Sequence, residues 1–344
     1  TMGSSSLSNV ALLSFLLVCV FFLELPWTPA LSTKPYSWNL YSQSLALVKP
    51  APLLLPYHNG PVLSGSGAGI EVHILWYGRF EPSQESILVD FLDSFAPIPP
   101  NSSSNDSAHT VSAWWSTTSG YKDAWGGSVM PALRIASQSH DAGESLGKTL
   151  TPASVEKLLF SGSRPGSGSG ELSSKSIHIL FTAQDVYVDG FCLNSCGYHA
   201  YTFPSDATRD KMVPYLWVGN SAAQCPGQCA WPFAAAHYGP QTPPLRPPNG
   251  DVGSDGMVIN LATLLAGAAT NPFGTGYYQG DASAPLEAVS ACTGIFGRGA
   301  YPGYPGELLK HAPSDSSFNA HGVRGRRFLI PAMWNPSSLD CVPL

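Results

Sequence analysis

The sequence predicts a single domain of the α/β or α+β class, in which helices flank a central mixed sheet. Segments typical of strands alternate along the chain with segments typical of helices, and this order favours stacked layers of sheet and helix. The 344 residues include 34 glycines and 31 prolines, so long loops should join the elements. Six of the 7 cysteines follow the N-terminal region, and their even number indicates a loop-rich, disulfide-bonded domain.

The N-terminal region has the pattern of an export signal. Residues 10–23 are apolar and uncharged, a run too short to cross a bilayer comfortably, and Thr28-Pro-Ala30 after it suits cleavage. We therefore expect a signal peptide over residues 1–30, an extended leader over 31–69 and one domain over 70–344. An uncleaved anchor is the alternative, because no Lys or Arg precedes the run. No second run of spanning length follows, which predicts a mature chain without a membrane span.

The charge balance argues against two classes of partner. Lys and Arg number 17 against 23 Asp and Glu, which gives a formal net charge of −6, and the basic residues form no runs. Nucleic-acid binding and attachment to an anionic membrane surface both require clustered Lys and Arg. The sequence therefore predicts a protein that binds neither.

The strands and helices are predicted from the period of their apolar residues. Residues 70–77 are apolar on both faces near their end, which is typical of a strand in the middle of a sheet. Pro82 opens an amphipathic helix whose apolar residues recur at helical spacing, with Asp90 facing water. Further elements are expected at 111–118 (helix), 130–137 (strand), 152–159 (helix), 177–182 (strand) and 215–219 (strand).

The most apolar segment after the N-terminal region is residues 257–270. Asp255 precedes it and is predicted to cap a helix, because a short carboxylate can accept from the free N–H groups of the first turn. Apolar side chains surround the helix axis, so this helix, including Leu264, should be buried in the core. Asn271-Pro272 ends it, since proline disfavours helical geometry in the residue before it.

The cysteines beyond the signal are predicted to pair with one another. Two C-x-x-x-C spacings could instead hold zinc, but structural zinc sites belong mostly to reducing compartments, so disulfides are favoured. The pairing stays open. The candidates are Cys192, Cys196, Cys225, Cys229, Cys292 and Cys341.

Polar loops interrupt the pattern at two places. Asn101 and Asn105 each begin an acceptor sequence for N-glycosylation, which predicts a glycoprotein if the chain is exported. Residues 161–170 consist almost entirely of Ser and Gly and are expected to form a surface loop.

Several patterns could carry chemistry, and each has a simpler explanation. Gly143-Glu-Ser145-Leu-Gly147 matches a nucleophile elbow, but no strand is predicted directly before it. Asp251 and Asp255 resemble part of a calcium loop that lacks its final Glu, so a helix cap beside a solvent-facing Asp is preferred. His321 is the histidine most typical of a site, although no two of the 9 histidines stand at the i, i+4 spacing of a helical zinc site.

Aromatic residues could form an exposed platform that stacks on sugar rings, although most are expected to fill the core. The residues considered are Trp76, Tyr77, Trp114, Trp115, Trp125, Trp217, Trp231, Tyr277 and Tyr278.

Long co-linear blocks of the sequence resemble one plant family. They include Tyr57-His-Asn-Gly-Pro61, Ile74-Leu-Trp-Tyr-Gly78, Gln224-Cys-Pro-Gly-Gln-Cys-Ala-Trp-Pro-Phe233, Asn249-Gly-Asp-Val-Gly253, Gly276-Tyr-Tyr-Gln-Gly280, Gly299-Ala-Tyr-Pro-Gly303 and Phe318-Asn-Ala-His-Gly322. These blocks are similar to the plant EXORDIUM family, also called the phosphate-induced protein family. The resemblance implies an apoplastic, cell-wall-associated protein linked to brassinosteroid-responsive growth and cell expansion, with an unknown extracellular or cell-wall partner. It implies no established catalytic site and no cofactor.

A second resemblance concerns the apolar helix and the segment after it. Residues 263–272 and Glu287 are similar to a segment of some bacterial zincin-like secreted proteins, in which a helix carries His-Glu-x-x-Glu. On that resemblance the His falls on Thr263, the catalytic Glu on Leu264 and the second acidic residue on Gly267, while the later Glu is kept as Glu287. Thr and Gly cannot replace those metal ligands and Leu cannot act as a base, so the resemblance implies a degenerate zincin-like scaffold without metal.

Two functions follow as hypotheses. The first is a secreted, non-enzymatic growth regulator of the cell-wall space. The second is a secreted hydrolase that acts on cell-wall glycan or protein from a zincin-related scaffold.

Overall fold

A mixed sheet of five strands lies at the centre of the fold in the computed structural model, which describes residues 52–67, 69–96, 108–160, 173–240, 242–282 and 284–344. The predicted signal peptide 1–30, most of the predicted leader, the sequons at Asn101 and Asn105, and the loop 161–170 lie outside the described residues. All described residues belong to one compact unit, Pro52–Leu344.

The five strands are arranged in the order β2-β1-β4-β7-β6. Neighbours from β2 to β7 run parallel, and β6 at one edge is antiparallel to β7. Every residue of β4 and β7 is buried, which is consistent with their mainly apolar sequences. The strands are β1 (Ile70–Tyr77), β2 (Leu133–Asp141), β4 (Ser176–Thr182), β6 (Gly197–Tyr201) and β7 (Pro214–Gly219), with the short pair β3 (Thr149–Leu150) and β5 (Tyr187–Val188) outside the sheet.

Helices cover both faces of this sheet, which confirms the predicted α/β layering. One face packs against α1, α2 and α5 in the largest core cluster, and the other packs against α3 and the cysteine-bearing loops. The helices are α1 (Pro82–Asp93), α2 (Val111–Ser116), α3 (Pro152–Phe160), α4 (Pro226–Cys229) and α5 (Val252–Thr270). Antiparallel pairs follow α5: β8 (Leu309–His311) with β9 (Ser316–Phe318), β10 (Ala320–His321) with β11 (Arg327–Phe328), and β12 (Met333–Asn335) with β13 (Asp340–Val342).

The six cysteines form three disulfides, as predicted. Cys192 pairs with Cys225 and Cys196 with Cys229, so two bridges join the chain before β6 to α4. Cys292–Cys341 joins the segment after α5 to β13.

The first turn of α5 differs from the prediction. The helix begins at Val252, five residues before the predicted start, and its cap is Asp251, whose side chain accepts from the Ser254 N–H at 2.7 Å. Gly253 and Gly256 weaken the helical pattern in the sequence, but both glycines are needed. A Cβ on Gly253 would lie 2.3 Å from Oδ1 of Asn220, and one on Gly256 would lie 2.6 Å from Cβ of Ala230.

Asp255 is therefore a buried residue of the first turn and not the cap. It is 2% exposed and accepts hydrogen bonds from the backbone N–H of Asn249 at 2.9 Å and from Nδ2 of Asn249 at 2.7 Å. Burial raises the pKa of Asp255 to about 7, although the Asn249 hydrogen bonds oppose the shift. In the sequence pattern that resembles a calcium loop, Asp251 is thus a helix cap and Asp255 a buried carboxyl group.

Asp90 on α1 is also buried, against the prediction that it faces water. Its carboxylate pairs with Arg324 and with Nε of Arg326, the latter at 2.8 Å. These arginines lie more than 230 residues further along the chain, so the period of α1 contains no sign of them.

Helix α5 is not buried on all sides, contrary to the prediction. Leu261 and Leu265 are fully buried, but Asn260, Thr263 and Leu264 are only partly buried. By length and composition α5 could cross a membrane, yet most of it lies inside the fold, as expected for a core helix. Leu264 is less deeply placed than predicted, since it packs against the core cluster but also lines a cleft on that side of α5.

Truncation of Leu261 and of Leu264 should show the difference in stability between a core position and a cleft position. We expect Leu261→Ala to lower the free energy of unfolding by roughly 2–5 kcal/mol, the usual cost of a cavity in the core. Leu264→Ala is the matched control on the same helix and should cost clearly less, since solvent can enter the space. Urea titration of both variants measures the difference, and equal losses would contradict the assignment.

Candidate functional site

A cleft of 880 Å³ lies between the edge strand β6 and helix α5, and we call it the β6–α5 cleft. Its third wall is the segment that follows α5. The residues that line it are Asn194–Tyr201 and Phe203 on the strand side, Asn260, Thr263, Leu264, Asn271, Pro272 and Gly274 on or after the helix, and Ala282, Ala284, Pro285, Glu287, Ser290 and Thr293 in the third wall.

Disulfides fix two walls of this cleft. Cys196 immediately precedes β6 and is bonded to Cys229 of α4, which itself packs against α5. Cys292 follows Glu287 by five residues and is bonded to Cys341. The strand and the Glu287 segment are therefore held by covalent bonds on either side of the helix.

A buried ion pair occupies the end of the cleft nearest the C-terminus of α5. Nε2 of His199 lies 2.7 Å from Oε2 of Glu287, and the side chains are 13% and 9% exposed. The other carboxylate oxygen, Oε1, accepts from Nδ2 of Asn271 at 2.7 Å, while Oδ1 of Asn271 accepts from the Gly276 N–H. Both oxygens of Glu287 are thus already bound by side chains of the protein.

The pair also changes the protonation of His199. Burial alone would lower the pKa of His199, but the charge and the hydrogen bond of Glu287 together outweigh it, so the pKa is raised above its ordinary value. Nδ1 of His199 is buried and has no hydrogen-bond partner among the described residues. Among the described residues, the ring therefore forms its hydrogen bond through Nε2 alone.

Gly267 allows the pair to reach the helix. A Cβ on Gly267 would lie 2.6 Å from Oε2 of Glu287 and 3.0 Å from Nε2 of His199. Thr263, one turn earlier, donates its hydroxyl to the Ile259 carbonyl at 2.9 Å. Of the four positions grouped by the zincin resemblance, Thr263, Leu264 and Glu287 line the cleft and Gly267 is buried beside the ion pair. Only Glu287 among them has a side chain suited to the metal of a zincin. Within the described ranges, no group of three or more His, Cys, Asp and Glu residues is arranged to hold a metal ion.

The other sequence-based candidates lie elsewhere. Asp251 caps α5 and Asp255 is in its first turn, roughly 24 and 18 Å along the axis from Gly267. His321 on β10 makes a backbone hydrogen bond to His109, and its ring packs against Phe318. Neither the aspartates nor His321 lines the cleft.

The G-x-S-x-G segment is a surface turn. Contrary to the prediction, a strand does precede it, since β2 continues to Asp141. No helix follows directly, and the Ser145 hydroxyl donates to Oδ2 of Asp141 at 2.6 Å, outside the cleft. The arrangement lacks the strand-to-helix turn that a nucleophile elbow requires.

Two residues of the cleft, His199 and Asn260, were not predicted from the sequence, and only Asn260 could have been. His199 pairs with a residue 88 positions away, so local spacing contains no signal for it. Asn260 was missed although a signal exists: residues 260, 263, 267 and 271 follow each other at intervals of three and four, which places them on one face of α5.

The stability that the His199–Glu287 pair contributes should depend on pH. Because the folded pKa of His199 is raised, the contribution is fully present below the unfolded value of about 6.5 and is lost as pH rises through the folded value. We expect the stability difference between wild type and a His199→Gln/Glu287→Gln variant to decrease as the pH rises above about 6.5. Comparing the two proteins by urea unfolding cancels the shared titration of Asp255, and a difference independent of pH would contradict the assignment.

Gly267→Ala should reverse the usual effect of this substitution. In a helix interior, Gly→Ala commonly stabilises by roughly 0.5–1 kcal/mol. Here the new methyl group would collide with Glu287, so we expect lower stability. Repeating the substitution in a Glu287→Ala background is the control, and there the effect should become neutral or stabilising. Thermal unfolding of the four proteins measures this coupling, and an unchanged loss in the second background would contradict the contact.

Comparison with known proteins identifies the family. Residues 55–344 match the model of the phosphate-induced protein 1 conserved region. The chain is 47% identical over 301 residues to Protein EXORDIUM-like 2 of Arabidopsis thaliana, covering 87% of this chain and 92% of that protein. It is 46% identical over 302 residues to Protein PHOSPHATE-INDUCED 1 of Nicotiana tabacum, covering 87% and 91%, and 47% identical over 291 residues to Protein EXORDIUM of Arabidopsis thaliana, covering 84% and 88%. No solved structure matches the chain. The chain belongs to the EXORDIUM, or phosphate-induced protein 1, family.

Proposed function

We propose that this chain is a secreted, non-enzymatic protein of the apoplast that regulates brassinosteroid-responsive growth and cell expansion by binding a partner in the β6–α5 cleft. Membership of the EXORDIUM family supports the growth role. The three disulfides are compatible with an oxidising, extracellular compartment. The apolar run at 10–23 and the sequons at Asn101 and Asn105 support export and glycosylation.

The residues around Glu287 support the proposal that the protein is not an enzyme. A zinc enzyme built on this cleft would need ligands at 263 and 267 and a base at 264, where the chain has Thr263, Gly267 and Leu264. Glu287 already binds His199 and Asn271. The residues present do not fit zinc, and we infer a zincin-like scaffold in which an ion pair occupies the region of the former metal site.

The edge strand indicates the kind of partner. Hydrogen bonds from the Gly219 N–H to the Cys196 carbonyl and from the Thr202 N–H to the Val213 carbonyl show that the even-numbered residues of this strand face β7. The backbone groups of Gly197, His199 and Tyr201 therefore point to the other side, and no described strand pairs with that edge. An unpaired edge beside a cleft favours an extended polypeptide segment, which can add to the sheet as a further strand.

A tryptophan in the cleft tests the site. Thr263 is partly buried and lines the cleft, so Thr263→Trp should fill the cleft and leave the fold intact. In plants that lack their own family members, this variant should be secreted at the level of wild type and fail to restore growth. Ala312→Trp, in an exposed turn, is the control of equal bulk and should restore growth. Full rescue by Thr263→Trp would contradict a role of the cleft.

The hydrolase remains the second candidate, because one observation favours it. A histidine whose Nε2 lies 2.7 Å from a carboxylate at the wall of a cleft resembles a general base that a carboxylate orients. Purified protein incubated with cell-wall glycan and with protein substrates, with and without added zinc, distinguishes the two functions. We expect no turnover above that of Glu287→Gln. Turnover that is lost in Glu287→Gln, or that appears only with zinc, would overturn the non-enzymatic proposal.

A further inference from the structure

A second concavity, of 610 Å³, lies between residues 227–240 and residues 293–303, and we call it the aromatic groove. It shares only Thr293 with the β6–α5 cleft. Its volume falls within the roughly 300–1,000 Å³ that is usual for ligand sites. Neither the family nor the proposed function assigns it a role.

Three aromatic side chains line the groove: Trp231, Tyr238 and Tyr301. Tyr238 is 89% exposed and Tyr301 64% exposed, and neither hydroxyl makes a hydrogen bond to a described residue. Trp231 is partly buried and packs against Phe296 at a ring distance of 5.8 Å. The two exposed tyrosine rings do not contribute to the core. Their position beside the partly buried Trp231 is instead typical of a ligand site.

The position of Tyr301 is fixed by a tight turn. Tyr301 and Tyr304 exchange backbone hydrogen bonds of 3.0 and 2.8 Å across Pro302-Gly303. Gly303 has φ +89, which favours glycine at the third position of such a turn, and a Cβ there would lie 2.6 Å from Cβ of Pro240. The Tyr304 ring packs 5.0 Å from the Tyr301 ring. The exposed ring is therefore held in place before any ligand arrives, which reduces the entropy lost on binding.

The chemistry of the lining selects for an uncharged ligand. Among the described residues, no Asp, Glu, Lys or Arg lines the groove, and its polar side chains include Gln228, His237 and Thr293. A hexose ring presents C–H groups on its faces and hydroxyls around its rim, so it can stack on the aromatic rings while its hydroxyls reach these side chains and solvent. An acidic polysaccharide would need basic residues, and a peptide would need partners for its backbone N–H and C=O groups, which an apolar lining supplies poorly.

We propose that the aromatic groove binds a neutral oligosaccharide, with sugar rings stacked on Tyr238 and Tyr301 above Trp231. The site is distinct from the β6–α5 cleft, with which it shares Thr293. Only Trp231 belongs to the aromatic residues that the sequence suggested for such a platform. Trp76, Tyr77, Trp114, Trp115 and Trp217 are buried in the core.

The test uses the full-length secreted protein and isothermal titration with defined probes. These are cellohexaose, mannohexaose and a xyloglucan heptasaccharide as neutral glycans, oligogalacturonate as the acidic one, and decaproline as a peptide. We expect at least one neutral glycan to bind, with Tyr238→Ala and Tyr301→Ala each weakening binding by about tenfold, or about 1.4 kcal/mol. Tyr238→Phe and Tyr301→Phe keep the rings and should bind nearly as wild type does.

Two control variants show whether the glycan binds in the aromatic groove and not at another surface. Trp125 is 83% exposed and lies outside the groove, so Trp125→Ala should leave glycan binding unchanged. Thr263→Trp should also leave it unchanged, which distinguishes a failure here from a failure of the cleft proposal. No neutral glycan bound at about 10 mM, binding insensitive to both Tyr→Ala variants, or preferred binding of oligogalacturonate or decaproline would overturn the proposal.

Discussion

The burial of α5 is the constraint on which the rest of the structure depends. A 19-residue helix with so few charges is stable in water only if other elements cover it, and β6, β7, α1 and α4 do so. Its three glycines after the cap allow these elements to approach: Gly253 meets Asn220, Gly256 meets Ala230, and Gly267 meets the His199–Glu287 pair. The close packing at these glycines therefore stabilises the core and also determines where the walls of the cleft lie.

Charge is distributed unequally between the two concave surfaces. The cleft contains a desolvated ion pair whose members satisfy each other, an arrangement that tends to be costly to bury and sensitive to the loss of one partner. The part of the chain that the structure describes contributes no ionic side chain to the aromatic groove, whose lining includes three aromatic rings. Thr293, one residue after Cys292, lies where the two surfaces meet, so one disulfide-linked segment contributes to both. A partner bound in the cleft and a ligand in the groove would thus contact the same short segment of chain.

The sequence predicted those features that depend on local pattern. The strand at 70–77, the helix opened by Pro82 and the end of α5 at Asn271-Pro272 follow from period and from proline chemistry, and the even number of cysteines predicted three disulfides. The predictions were wrong where contacts with a distant segment of the chain determine whether a side chain is buried. Asp90 is buried by Arg324 and Arg326 from the far end of the chain, and Asp251 replaces Asp255 as the cap because the glycines serve close packing within the helix and not a loop. The His199–Glu287 pair has no local signal at all, and only the period of Asn260 and Thr263 hinted at a polar face.

The wall that bears Glu287 is supported from the C-terminal end of the chain. The Trp334 N–H donates to the Ala288 carbonyl and the Ala332 N–H to the Ile295 carbonyl, both at 2.7 Å, and Cys341 forms the disulfide to Cys292. The third wall of the cleft therefore stays untethered until β12 and β13 have been synthesised. Domains form from the N-terminus as synthesis proceeds. The sheet and the elements that cover α5 can assemble early, whereas the wall that bears Glu287 is fixed only after β12 and β13 have been added.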